Sequence, residues 1–109
     1  MNNVPRKASL SEPRRALLEL MQANPHGRIE CLSIKNGDPV LSPLPRVVRE
    51  IKFGGENGPR PELAADDFCL KEQVVELFRY FDEIRDRVIA VIEIKHGLPF
   101  RMSIVDPAA

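Results

Sequence analysis

The chain has 109 residues, enough for one domain with a core of its own, and its 43% hydrophobic and 29% charged content exclude a disordered body. Sixteen Lys and Arg balance sixteen Asp and Glu, which argues against a dedicated nucleic-acid or membrane-surface binder. The balance is uneven along the chain: residues 1–60 hold ten basic and six acidic side chains, and residues 61–109 hold six and ten. The plain reading is an unevenly charged solvated surface; the sharper alternative is one basic and one acidic face, an arrangement that favours self-association.

The pattern predicts a flexible N-terminal tail over residues 1–9, a single domain over 10–105 and a C-terminal tail over 106–109. The first helix starts at Ser11, a good N-cap, with Glu12 and Pro13 in its first turn. Leu17, Leu20 and Met21 form its apolar stripe, with Leu18 less central, and Asn24-Pro25-His26-Gly27 ends it. A strand follows over Arg28–Lys35, then an Asn36-Gly37 turn and a short return strand through Val40, interrupted by Pro43 and Pro45. A further strand is expected over Val47–Phe53. Residues 54–66 form a long connection with room for a helical turn at 62–65.

The second helix carries the clearest signal, with Leu70, Val74, Leu77, Phe78, Phe81 and Ile84 on one face. Asp66 or Asp67 is its expected cap. Strands Val88–Lys95 and Leu98–Val105 then flank a His96-Gly97 turn.

Displacing the sequence by sixty residues superposes Ile29, Ile34, Lys35, Gly37 and Pro39 on Ile89, Ile94, Lys95, Gly97 and Pro99. Leu17, Leu18 and Met21 fall on Leu77, Phe78 and Phe81. The expectation is an α+β fold made from a duplicated helix–β-hairpin unit (about 11–53 and 70–105, joined by loop 54–69). The units form one four- to five-stranded antiparallel sheet with both helices on one face.

The second hairpin has two possible registers. A two-residue turn pairs Lys95 with Leu98 and Ile92 with Arg101; a three-residue bulged turn pairs Ile94 with Leu98 and Ile92 with Phe100. The second collects Val88, Ala90, Ile92, Ile94, Leu98, Phe100, Met102 and Ile104 on one face, so it is the expected one. It leaves Ile89, Val91 and Val105 on the polar face, where a second subunit can use them.

Chemical signatures are sparse. Cys31 and Cys69 read as small buried hydrophobes in a reducing compartment, and with His26 and His96 they show no zinc-motif spacing. His96 reads as a turn residue, and His26 as a complement to helix carbonyls. No nucleophile elbow or phosphate-loop motif occurs. Stacking aromatics for nucleic acid are few, and no apolar run reaches membrane-spanning length. The first twenty residues are polar and basic until Ala16, so the expected location is cytoplasmic.

The loop from Lys52 to Arg60 holds more than folding requires. Gly54, Gly55 and Gly58 permit close backbone approach, Asn57 tolerates a left-handed turn, and Lys52 and Arg60 supply charge for a phosphate or carboxylate. A surface connection in which Arg60 pairs with Asp66 or Asp67 is the competing account. The sequence thus reads as a non-enzymatic protein-interaction module without cofactor, with a homodimer or another protein as its expected partner. The alternative is a small anionic-ligand-binding domain using loop 52–60.

Overall fold

The computed structural model describes residues 5–65 and 67–106. Helices α1 (Glu12–Ala23) and α2 (Glu72–Ile84) cover one face of a five-stranded antiparallel sheet, β1 (Gly27–Lys35), β2 (Asp38–Val40), β3 (Arg46–Arg49), β4 (Arg87–Lys95) and β5 (Leu98–Val105). The long strands β1 and β4 pair at the centre, from Gly27↔Ile94 to Ile34↔Arg87. β5 lies beyond β4, while β2 and β3 share the other side of β1.

Each helix boundary has a local cause. The Ser11 hydroxyl accepts the Arg14 N–H at the start of α1, as expected of an N-cap. Proline at position 25 prevents continuation, and the Asn24 amide donates to the Leu20 carbonyl. α2 ends where Arg85 turns left-handed (φ 54°). Its start differs from expectation: Lys71 occupies the N-cap without a side-chain bond, because Asp67 is engaged elsewhere, and Asp66 lies outside the described residues. Leu17, Leu18 and Met21 of α1 meet Val74, Leu77, Phe78 and Phe81 of α2 over Ile29, Leu32, Ile34, Ile89, Ile92 and Ile94 of the sheet. Leu18 is therefore central and Leu20 peripheral, the reverse of the expected order.

The buried strand residues are spaced by three and then two, not by two throughout. The ladder passes from Glu30↔Val91 to Leu32↔Ile89, leaving Cys31 and Ala90 unpaired, and Cys31 has φ 58°. A residue outside the ladder reverses the facing of everything beyond it. Ile89 thus turns inward and is fully buried, whereas Val88 faces out, correcting both expectations. Cys31 is exposed rather than buried, as is Cys69.

The second hairpin combines features of both registers. His96 and Gly97 form a two-residue tip with positive φ at both positions (54° and 75°), pairing Lys95 with Leu98. The ladder then steps from Ile94↔Pro99 to Glu93↔Arg101, so Phe100 is the extra residue and Ile92 faces Met102. The bulge exists, but three residues beyond the tip. Phe100 is consequently 52% exposed, with the Lys95 ammonium 4.2 Å from its ring centre, and it lies outside the core at a groove shared with Gln73, Glu76 and Tyr80 of α2.

Two further expectations change. The strand expected over Val47–Phe53 stops at Arg49, and Ile51 and Phe53 are exposed. Residues 5–9 of the expected tail are packed: Lys7 is 2% exposed, its Nζ donates to the Ala65 carbonyl at 2.8 Å, and its N–H donates to the Phe68 carbonyl. The helical turn expected at 62–65 is the 3-10 turn Pro61–Ala64.

The hairpin tips reach across the molecule. Gly37 N–H donates to the Arg85 carbonyl at the end of α2, and Gly97 N–H donates to the Pro25 carbonyl just after α1, each at 3.0 Å. An arginine lies against each tip. The Arg14 guanidinium donates to the Gly37 carbonyl and bonds Asp82, while the Arg60 stem crosses Gly97 so closely that a Cβ there would meet Arg60 Cγ at 2.7 Å.

Candidate functional site

Loop 50–60 leaves β3 and runs over one end of the sheet. Lys52 to Gly55 form a tight turn, with Gly55 N–H donating to the Lys52 carbonyl at 3.1 Å and Gly54 in the left-handed region at φ 79°. Asn57 braces this turn from below. Its Oδ1 accepts the Lys52 N–H at 2.8 Å, and its Nδ2 donates to the carbonyls of Lys52 and Gly55. The side chain expected to help hold an anion is thus committed to the loop itself. Phe53, at the apex, is 96% exposed.

Beneath the turn is an open cleft of about 1080 Å³ whose walls include Lys52, Gly54 and Gly55, together with both histidines. The rings of His26 and His96 meet edge to face with centroids 5.2 Å apart. Three cations (Arg28, Lys52, Lys95) and three carboxylates (Glu50, Glu56, Glu93) line the cleft, so it has no charge preference for an anion. Arg28 is also paired to Glu30 at 2.8 Å, and this hydrogen bond holds the Glu30 carboxyl below its usual range.

Arg60 does not join this cleft. Its backbone N–H donates to the Gln22 carbonyl at 2.9 Å, its guanidinium pairs with Glu62 at 3.5 Å, and it lines a separate cavity of about 480 Å³. Gly58 has open space on its Cβ side. The expected site is therefore divided: Lys52, Gly54 and Gly55 share one cleft, Asn57 supports it, and Arg60 faces another. Arg60 pairs neither with Asp67, which binds Arg6 at 2.7 Å, nor with any described residue other than Glu62.

The second cavity lies between α1, the start of α2 and the second hairpin tip, and Leu18, Gln22, Phe68, Lys71, Val74 and Leu98 are among its lining residues. Sequence reasoning passed over Gln22 because it sits on the apolar face of α1, where a single polar residue leaves the periodicity intact. It is 5% exposed, and its Oε1 has no hydrogen-bond partner among the described residues.

Among the described residues, no group of three or more His, Cys, Asp and Glu is placed to hold a metal ion. None of their helices is long and apolar enough to cross a membrane. Comparison with protein-family models, with curated proteins and with solved structures finds no match.

Proposed function

We propose that this chain is a non-catalytic protein-interaction module that pairs with a second copy of itself through the free edge of β5. The observation that carries this reading is the state of that strand. β5 has eight residues, pairs among the described strands with β4 alone and lies at the end of the sheet. Isolated strand edges of this length are normally shortened, charged or covered. The opposite edge follows that rule, being split into β2 and β3 with Pro43 and Pro45 between them. β5 is blunted only near its tip, by Pro99, the Phe100 bulge and Arg101; beyond them it runs on with half-buried Met102 and Ile104 and exposed Val105, and exposed Phe100 and Tyr80 of α2 lie alongside. Antiparallel pairing of two identical edges gives a closed two-fold contact that leaves no further β5 edge free. The two exposed thiols fit a reducing, cytoplasmic setting.

Light scattering over a dilution series tests this reading. The chain should be dimeric at micromolar concentration, and Phe100→Lys and Val105→Lys should each make it monomeric with a melting temperature no lower than that of the unsubstituted chain diluted to monomer. A monomer at all concentrations, or a dimer indifferent to both substitutions, overturns it.

The duplicated helix–hairpin unit belongs to the same proposal. Three features support it. The buried set Leu17, Leu18, Met21, Ile29, Leu32 and Ile34 recurs sixty positions later as Leu77, Phe78, Phe81, Ile89, Ile92 and Ile94. The central pairing maps onto itself under the same shift, Ile29↔Ile92 becoming Ile89↔Leu32. The two tip bonds exchange likewise, Gly37 to Arg85 becoming Gly97 to Pro25.

A further inference from the structure

We infer that the paired chains meet in one register, with the two-fold axis on Ser103, and that each copy completes the groove between α2 and β5 of the other. This rests on the self-association through β5 proposed above and adds which residues face one another across it.

Facing limits the register. Two identical strands that pair antiparallel are related by an axis normal to the sheet, so both helix layers lie on the same side of the joined sheet. Residues opposite one another share a face. Met102 and Ile104 pair with the core residues Ile92 and Ile89 and so face the helices, whereas Arg101, Ser103 and Val105 pair with Glu93, Val91 and Val88 and face away. A residue can therefore oppose only a member of its own set, which places the axis on a residue and never between two. The unobstructed part of β5 runs from Arg101 to Val105: Pro99 has no N–H to donate, Phe100 is the bulge, and the strand ends at Val105. An axis on Ser103 pairs all five of these residues with the partner's five, whereas an axis on Met102 or Ile104 pairs only three. The longer ladder satisfies more main-chain groups.

The groove gives the second observation. It holds about 340 Å³, and its lining includes Glu76, Leu77 and Tyr80 of α2 and Met102 and Ile104 of β5. Because β5 is the last strand of the sheet, the groove opens over that strand's free edge. With the axis on Ser103, Met102 lies opposite the partner's Ile104, and Ile104 opposite the partner's Met102. The apolar floor is then continuous across the axis, and the partner's helix α2 becomes the far wall. Tyr80 is 45% exposed in the single chain. In the joined molecule it stands beside the shared floor, where a tyrosine can bury its ring and keep its hydroxyl at the wet rim. On the outer face Ser103 meets the partner's Ser103 and Arg101 meets the partner's Val105, so no like charges are directly opposed.

Cysteine cross-linking reads the register. In a chain carrying Cys31→Ser and Cys69→Ser, whose melting temperature reports that the fold is kept, Ser103→Cys should oxidise to a covalent dimer at micromolar concentration. Opposed α-carbons in an antiparallel pair stand about 4.5–5.5 Å apart, within disulfide reach. Arg101→Cys and Val105→Cys should each fail to link with themselves, since equivalent α-carbons are then roughly 13 Å apart, but should link with one another in an equimolar mixture. Tyr80 is the only tyrosine and the chain has no tryptophan, so its emission reports on the groove alone. Acrylamide should quench it less in the oxidised Ser103→Cys dimer than in the same chain reduced and diluted. Tyr80→Ala should raise the dissociation constant of the dimer about tenfold. Linking at Met102→Cys or Ile104→Cys but not at Ser103→Cys, or no linking in a chain that light scattering shows to be dimeric, overturns the register. A dimer with unchanged quenching and indifferent to Tyr80→Ala overturns the shared groove. A monomer at all concentrations instead removes the self-association itself, and this inference with it.

Discussion

At the scale of single residues, the side chains that join distant segments are those that folding within an element does not use. Asp67 shows this. It could have capped α2, but it accepts the Ala8 N–H at 3.0 Å and pairs with Arg6, and it thereby ties the N-terminal segment down. The Ala8 N–H and then the Arg6 guanidinium hold the Asp67 carboxyl below its ordinary range. A carboxyl lowered in the folded state stabilises fully above its unfolded value and loses that effect as the pH falls through the native one. Acidification should therefore release residues 5–9 before the core melts, and Asp67→Ala should do the same at neutral pH. Hydrogen exchange at the Lys7 amide, which donates to the Phe68 carbonyl, reads the effect directly. Protection of Lys7 that is unchanged by either treatment would contradict this account. Nothing in the sequence around Lys7 announced its burial, because a lysine enters a protein interior where partners from elsewhere in the chain receive its charge, here including the Glu19 carboxylate at 3.3 Å. The Ala65 carbonyl and the Phe68 ring, about sixty residues away, complete its surroundings.

At the scale of elements, helices were more legible than strand registers, for a physical reason. The face of α2 is fixed by a repeat every 3.6 residues over thirteen positions, so one irregularity cannot disguise it. A strand's facing is fixed by alternate residues, and a single extra residue inverts it. The irregularities at Cys31, Ala90 and Phe100 arise from pairing between strands, which no local window contains. The glycine loop shows the same limit. Its turn chemistry was readable from Lys52, Gly54 and Asn57, but its separation from Arg60 depends on where the 3-10 turn and the second hairpin tip meet α1. The register carries its own prediction. Phe81→Ala should cost about 3–5 kcal/mol, as large truncations in a sealed core do. Phe100→Ala, measured at low concentration, should cost less than about 1 kcal/mol, since the ring is half exposed beneath Lys95. Equal losses at the two positions would contradict the observed pairing.

For the whole molecule, the relevant fact is that β1 and β4 form the centre of the sheet while lying sixty residues apart in sequence. Each central residue therefore contacts both halves of the chain. If the halves are equivalent units, Ile29→Ala and Ile89→Ala should destabilise to a similar degree, about 2–5 kcal/mol each, because both are fully buried at corresponding places in the ladder. Denaturant melts of the two variants make the comparison, and losses that differ by more than the scatter expected of such sites would argue against equivalence. The reciprocal tip bonds extend this interdependence to the ends of the molecule. Gly37 finishes its bonding only on a residue beyond α2, and Gly97 only on one beyond α1. The first half thus has no complete fold to reach while the second is still being synthesised, and contacts of such long sequence separation slow the search for the native state. Residues 5–60 emerging from a ribosome would expose Ile29, Leu32 and Ile34 until β4 arrives. Premature pairing of one nascent chain with another is the hazard such an arrangement carries during translation.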